Sequence, residues 1–289
     1  MAENIAGKPR IRAPNPEDWT EVESMLREER LNTICESASC PNLADCWKRK
    51  HASFMILGSM CSRSCTFCDV PTGKPQKVDI AEPIRVARAV NKLGLRHVVV
   101  TSVTRDDLAD GGAEHFAHTI HAIRHTSPDT TVEVLTPDFR RKGGAINKVI
   151  EAKPDVFAHN IETVPRLYKT VRLGASYEHS LELLKFVASK GIVTKSSIII
   201  GFGENVDEIV SVMKDLRDHG VNIVTFGQYL RPSEKHHPVV KYHNDDDFAH
   251  YRALATEIGF EIVVGSPLSR TSYYSEDDVE RLRSLLSSV

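Results

Sequence analysis

Six cysteines, gathered in the first quarter of the chain, are the residues best able to do chemistry. Cys35, Cys40 and Cys46 are spaced C-x4-C-x5-C, Cys61, Cys65 and Cys68 are spaced C-x3-C-x2-C, and none follows Cys68. Three thiolates at the second spacing can hold three irons of a cubane [4Fe–4S] cluster and leave the fourth open to a small molecule. Spacings that supply four cysteines per cluster leave no such opening. A zinc knuckle is the structural alternative. Zinc takes four ligands, usually as two close pairs, and this chain has one C-x2-C pair, which His51 or His97 could complete. Disulfides suit an exported chain. The opening MAENIAGKPRIRAPNP has no apolar core of a signal peptide, so reduced thiols and a cytoplasmic location are expected.

Such thiols need a scaffold. The 289 residues are 41% hydrophobic and 26% charged, which excludes disorder, collagen-like repeats and coiled coil. A formal net charge of −2 carries no basic excess to attract nucleic acid or an anionic membrane. The longest apolar runs, around Val98-Val99-Val100 and Ile198-Ile199-Ile200, fall short of the ~20 residues of a transmembrane helix.

A first helix is expected over Pro16–Arg30, ahead of the first cysteine group. From Ser53 onward, short β-rich runs alternate with amphipathic stretches, the rhythm of parallel strands joined by crossover helices. Strands are expected at Phe54–Leu57, His97–Thr101, Thr131–Leu135, Val156–Asn160, Thr194–Ile200 and Asn222–Phe226. Helices are expected at Glu82–Leu93, Ala113–Thr126, Ala145–Glu151, Pro165–Val171, Tyr177–Lys190 and Val206–His219. Six such units point to an α/β fold, a partial (β/α)6 TIM-like barrel, with a doubly wound open sheet as the alternative. Beyond residue 230 come a proline- and histidine-rich loop, a helix capped by Asp245-Asp246-Asp247, a seventh β-like run at Glu261–Val264 and a final helix. The expected organisation is 1–52 as an N-terminal extension, 53–230 as the barrel and 231–289 as a C-terminal extension.

In such a fold, chemistry collects where strands end. Arg105-Asp106-Asp107 follows the second strand, although a loop with a capping aspartate explains it equally well. Asn160 and Glu162 alternate with His159 and Ile161 after the fourth strand, so one pair faces inward if the other faces out. Gly201-x-Gly203-Glu204 would admit close backbone approach, and Arg172 and Lys195 are basic residues near the same face.

With an aromatic before its last cysteine and a strand before its first, Cys61-Ser62-Arg63-Ser64-Cys65-Thr66-Phe67-Cys68 resembles the radical S-adenosylmethionine (SAM) motif. The upstream Cys35, Cys40 and Cys46 narrow the resemblance to the lipoyl synthase family. So do Thr101-Ser102-Val103-Thr104-Arg105-Asp106-Asp107, His159-Asn160-Ile161-Glu162, Gly227-Gln228-Tyr229-Leu230-Arg231-Pro232 and Arg270-Thr271-Ser272-Tyr273. The likeness runs from about Thr33 to Tyr274. It departs at Thr271, where the family usually has serine, at Leu173 in Arg172-Leu173-Gly174, and at Ser197 in Lys195-Ser196-Ser197.

The resemblance implies a sulfurtransferase that replaces C–H bonds with C–S bonds at C6 and C8 of an octanoyl chain on a lysine of a lipoyl carrier domain. No side-chain acid or base removes such a hydrogen, so no catalytic residue of that kind is expected; the hard step belongs to a cofactor. Two [4Fe–4S] clusters are implied. One, on Cys61, Cys65 and Cys68, binds SAM. The auxiliary one, on Cys35, Cys40, Cys46 and Ser272, donates the sulfur. On the residues alone Ser272 reads first as a helix N-cap, but Ser275 fits that cap better, and Thr271 is its rival as a ligand. Arg105, Asp106, Asn160, Glu162 and Lys195 are candidate SAM contacts. The C-terminal segment is expected to fold over the barrel mouth. Expected partners are octanoylated carrier domains of 2-oxoacid dehydrogenase complexes or the glycine cleavage H protein, an electron donor, and an iron–sulfur carrier that repairs the auxiliary cluster. Two alternatives stand: biotin-synthase-like sulfur insertion, and a non-catalytic iron–sulfur or zinc protein.

Overall fold

The computed structural model describes residues 8–9, 20–49 and 52–288. Of the expected N-terminal helix, the described part is α1 (Thr20–Glu28); residues 16–19 lie outside the described residues, as does His51. Eight strands form one sheet in the order of the chain: β1 (Asn32–Thr33), β2 (Ser53–Ile56), β3 (His97–Ser102), β4 (Thr131–Leu135), β5 (Val156–Ala158), β6 (Val193–Ile200), β7 (Ile223–Gln228) and β8 (Ile262–Ser266). Only β1 runs antiparallel to its neighbour. A strand order that never reverses is that of a TIM-like sheet; the doubly wound alternative needs a switch point.

Helices α2 (Ile34–Ser37) and α3 (Leu43–Lys48) carry Cys35 and Cys46, with Cys40 in the turn between them. The crossovers are α4 (Glu82–Leu93), α5 (Ala113–Thr126), α6 (Ala145–Glu151), α7 (Tyr168–Val171), α8 (Tyr177–Ala188) and α9 (Val206–Asp218); α10 (Asp245–Ile258) and α11 (Glu276–Leu286) complete the chain. The expected crossover helices are thus present within two residues, except that 165–171 is a 3₁₀ turn leading into α7. The seventh β-like run is not separate from the barrel rhythm. As β8 it pairs in parallel with β7, so parallel strands number seven and a strand lies beyond the expected boundary at 230. The cap of α10 is Asn244, not the aspartate run: its side chain accepts from Asp247 N–H, while the Asp247 carboxylate returns the bond to Asn244 N–H.

The apolar runs of the strands follow from burial on both faces. Phe54, Val100, Val134, Phe157 and Ile198 face the helices. On the other face the register aligns Ser53, Val99, Glu133, Val156 and Val193 in one layer. Along the same face, toward the C-terminal ends, come Met55, Thr101, Leu135, Ser197 and Ile199, which line a large cavity. Glu133, fully buried at the centre of that lower layer, needs compensation. It receives Lys195 Nζ at 3.0 Å and the Tyr274 hydroxyl at 2.5 Å.

The C-terminal segment does more than cover a mouth. Ser269 to Ser272 line the cavity at the strand ends. Tyr274, Val279 and Leu282 pack among Val99, Val156, Val193 and Ile223, nearer the strand beginnings. Residues 269–282 therefore run from one end of the sheet to the other. The N-terminal segment clasps them: Asn42 Nδ2 donates to Leu268 O (2.7 Å), Arg49 donates to Tyr274 O (3.1 Å), and the Tyr273 hydroxyl donates to Asp45 (3.2 Å).

Candidate functional site

Cys61, Cys65 and Cys68 lie in the loop after β2. Leu57 begins that loop with φ of +70°, a left-handed conformation costly for a branched side chain. Two buried charged groups hold it there. Glu82 accepts from Leu57 N–H at 2.8 Å, and Arg105 Nη1 donates to Leu57 O at 3.1 Å. Further on, Cys61 N–H donates to Pro71 O, Ser62 N–H to Thr104 O and Thr66 N–H to Val171 O, at 2.8 to 3.0 Å. The cysteine loop is thus pinned to the ends of β3 and α7. The 231–244 loop covers it from outside: His237 N–H donates to Thr66 O (2.9 Å), and the His236 ring bonds Cys68 O (3.1 Å). Both histidines of the 231–244 loop are thus contacts of the cysteine loop.

All three thiols open on a cavity of about 540 Å³, together with Cys40, Asn160, Glu162, Arg172 and residues 269–272. That volume is typical of a small-molecule site. Burial drives Cys68 up to about 12, with Cys65 and Cys61 adding to the rise. Burial likewise lifts Cys65 to about 11, against the Arg172 guanidinium. Such thiols ionise when a cation shares their charge, as a metal centre does. Cys61 Sγ accepts from the backbone N–H of Thr104 (3.4 Å) and Arg63 (3.5 Å). Three buried polar atoms on the cavity wall, Ser102 Oγ, Thr136 Oγ1 and Asn160 Oδ1, have no partner among the described residues. Buried polar atoms are normally matched; a polar cofactor at the strand ends would match these.

The expected SAM contacts separate into two groups. Asn160 and Glu162 line the cavity while His159 and Ile161 are buried away from it, the expected alternation. Burial raises the Glu162 carboxyl, opposed by Arg172. The other three do not line the cavity. Arg105 forks onto Asp107 at 2.9 Å and onto Leu57 O. Asp106 grips Arg63 with both oxygens, at 2.8 and 2.9 Å. Lys195 is the third residue of an eight-residue strand, about 16 Å below its C-terminal end. It is spent on Glu133, Tyr274 and Thr271 O.

Sequence reasoning gave no role to Arg63 and named Arg172 only as a basic residue near the same face. Arg63, inside the cysteine motif, also forks onto Asp138 at 2.6 and 2.9 Å. Burial opposes that carboxylate, yet Arg63 holds it well below the usual range. Arg172 is buried and donates to the Tyr168 hydroxyl (2.9 Å) and Ser180 (3.1 Å), beside Glu162 and Cys65. His159 next to it is pushed down to about 3 by burial and by Arg172, and so stays neutral near pH 7.

The upstream cysteines form a second group. Burial, then Cys40, raises Cys35 to about 12; burial, then Cys35 and Cys40, raises Cys46 further. Cys40 lines the large cavity, whereas Cys46 lines a hollow of about 20 Å³ with His97 and Tyr274. Ser272 lines both. Its hydroxyl makes no hydrogen bond among the described residues, and the α11 cap is Ser275, which accepts from Asp278 N–H at 3.1 Å. Thr271 lines the large cavity alone, its carbonyl held by Lys195. Among the described residues, no three of His, Cys, Asp and Glu are gathered as ligands of a single ion, and none of the helices is long and apolar enough to cross a membrane.

Solved structures share this fold. Methylornithine synthase (PylB) aligns with a TM-score of 0.54 over 81% of this chain and 80% of its own, at 14% identity. Streptococcus suis SuiB bound to S-adenosylmethionine aligns at 0.58 over 82% of this chain and 57% of its own, at 13% identity. HydG, a maturase of the [FeFe]-hydrogenase, aligns at 0.58 over 80% and 54%, at 14% identity. Identities this low speak for the fold alone. The sequence match is decisive: residues 55–216, more than half the chain and the span from β2 to α9, match the Radical SAM superfamily, which implies a [4Fe–4S] cluster and SAM. This chain belongs to the radical SAM superfamily.

Proposed function

We propose that the chain is a lipoyl synthase, inserting two sulfur atoms at C6 and C8 of an octanoyl chain carried on a protein lysine. The observation that carries this reading is Ser272, on the wall of both the large cavity with Cys40 and the small hollow with Cys46. An oxygen donor that shares one wall with Cys40 and another with Cys46 suits the fourth ligand of an auxiliary [4Fe–4S] cluster on three thiols. The same cavity wall carries Cys61, Cys65 and Cys68, so sulfur donor and SAM centre would face one substrate. In this reading the sheet is an incomplete barrel closed by residues 269–282.

Bound together, the SAM centre would supply hydrogen abstraction from unactivated carbon and the auxiliary centre would supply sulfur. The protein's part is to position and shield. Arg63, clamped by Asp106 and Asp138, fixes the loop between Cys61 and Cys65. Asn160, Thr136 and Ser102 offer polar atoms to SAM. Arg172 balances Glu162 and a Cys65 thiolate within a buried wall. Met55, Leu135, Val103 and Ile199 give that wall the apolar surface an octanoyl chain needs. A hard seryl oxygen beside soft thiolates makes a ligand that can be released when sulfur leaves. Carrier domain, electron donor and cluster-repair protein are the partners this chemistry requires.

The test is anaerobic loading followed by incubation with SAM, reductant and an octanoylated carrier peptide. The parent should hold about eight irons, two cubanes, and make lipoyl product. Replacing Cys35, Cys40 and Cys46 with Ala should halve the iron and abolish product while SAM cleavage persists. Lipoyl product from that variant would end the reading.

A further inference from the structure

One buried imidazole has no part in the function proposed above. His97, the first residue of β3, is 7% exposed, and neither ring nitrogen has a hydrogen-bond partner among the described residues. Its Nε2 stands 3.5 Å from Glu133 Oε2, longer than an ordinary N–H···O bond. Its ring meets Tyr274 edge-on with centroids 4.8 Å apart. Leaving a buried polar group unmatched is costly, so the local surroundings should supply a partner. The hollow of about 20 Å³ where His97, Cys46, Ser53, Ser272 and Tyr274 meet is the available place. It has room for one water and not two. With Nε2 turned to Glu133, Nδ1 is the nitrogen left for the hollow.

We infer, resting on the reading of Ser272 as a cluster ligand, that this hollow binds one water molecule. The water donates one hydrogen to His97 Nδ1 and the other to the Ser272 oxygen. His97 is then the outer-sphere positioning residue of the auxiliary centre. The Glu133 carboxylate, 3.5 Å from Nε2, favours the proton on that nitrogen and so leaves Nδ1 as an acceptor. The Ser53 hydroxyl gives the water a third neighbour, within the two to four a buried water needs. Charge on a ligating oxygen is eased by a hydrogen bond, so the water both orients Ser272 and raises the potential of the centre it binds. No proton changes hands.

The test uses the full chain with Cys61, Cys65 and Cys68 replaced by Ala, so that the auxiliary centre alone is observed. Reduction potential, Mössbauer spectrum and iron loss to a chelator are compared. His97→Phe keeps the ring against Tyr274 but cannot hold the water. It should lower the potential, alter the spectrum of the unique iron and speed iron loss about tenfold. His97→Gln, which retains an acceptor, should lie near the parent. If His97→Phe matches the parent while Ser272→Ala does not, the outer-sphere role is overturned and the ligand survives. If Ser272→Ala also matches the parent, the ligand reading itself falls. Should His97→Phe not fold, a crystal structure of the parent decides: one ordered water in the hollow is expected, and a dry hollow overturns the inference.

Discussion

Ser272 and Thr271 carry the same hydroxyl chemistry one residue apart, and the fold sets them to different tasks. Thr271 is 8% exposed and its carbonyl anchors Lys195; Ser272 lines the large cavity with Cys40 and the small hollow with Cys46. Ser272→Ala should keep most iron and SAM cleavage, because three thiolates remain, yet lose most product. Ser272→Cys should hold the auxiliary cluster at least as firmly and still make less product, since thiolate releases iron more reluctantly than alkoxide. Thr271→Ala should be mild in iron content and product yield; if it is the damaging change, the wrong hydroxyl has been assigned. At this scale the thiols were legible because three cysteines within a dozen residues is a local signal. The clamp of Arg63 by Asp106 and Asp138 was not, since its partners lie 43 and 75 residues away. Lys195 misled because a basic residue near a strand end resembles an anion contact. Its place at the third of eight strand residues puts it at the opposite end.

The elements most readable in sequence were those held by local chemistry. Helices α4, α5 and α6 begin and end as expected from their apolar periodicity and their flanking Gly or Pro. The two-residue β1 has no pattern to read and exists only through its pairing with β2. The path of residues 269–282 was half legible: a return toward the site was expected, but the descent of Tyr274 between strands depends on Glu133 and Lys195, 141 and 79 residues away. Two predictions belong here. Against the cost of burial, Lys195 and then His97 hold Glu133 down to about 2, below its unfolded value of about 4.3. Its contribution to stability is therefore present above about pH 4.3 and lost as pH falls toward about 2. Lys195→Met should cost about 3–5 kcal/mol in denaturant unfolding near pH 7 by stranding the carboxylate, and the loss should shrink as pH falls and the stranded carboxyl takes up a proton; Glu133→Gln in the same chain should recover much of the loss. A Lys195→Met loss below about 1 kcal/mol would show that the pair does not hold the segment. Gly227 offers the second test. A Cβ there would sit 2.1 Å from Ser269 O, so Gly227→Ala must push the C-terminal segment off β7. The expected result is a loss of about 1–3 kcal/mol and of auxiliary iron, with the Cys61 centre intact by SAM cleavage.

For the whole molecule, an auxiliary cluster consumed in the reaction, as proposed here, would set a limit on output. Isolated, loaded protein should make about one lipoyl group per chain, using one SAM for each C–H bond broken, and then stop. Iron and sulfide analysis after the reaction should find the auxiliary centre depleted and the Cys61 centre retained. Many turnovers without repair would place the sulfur elsewhere. The clasp between the two ends of the chain bears on how the protein is made. The bonds that pin the Cys61 loop to β3 and α7 reach no further along the chain than Val171, so much of that half of the site is complete while translation continues. Cys46 leaves the ribosome early but meets Ser272 only after two hundred further residues, and Asn42 waits 226 residues for Leu268. A nascent chain therefore exposes the upstream thiols with no fourth donor and no cover. On the proposed reading, loading of a second site would be tied to the last steps of synthesis, and an interrupted chain would carry a SAM site but nothing to give away.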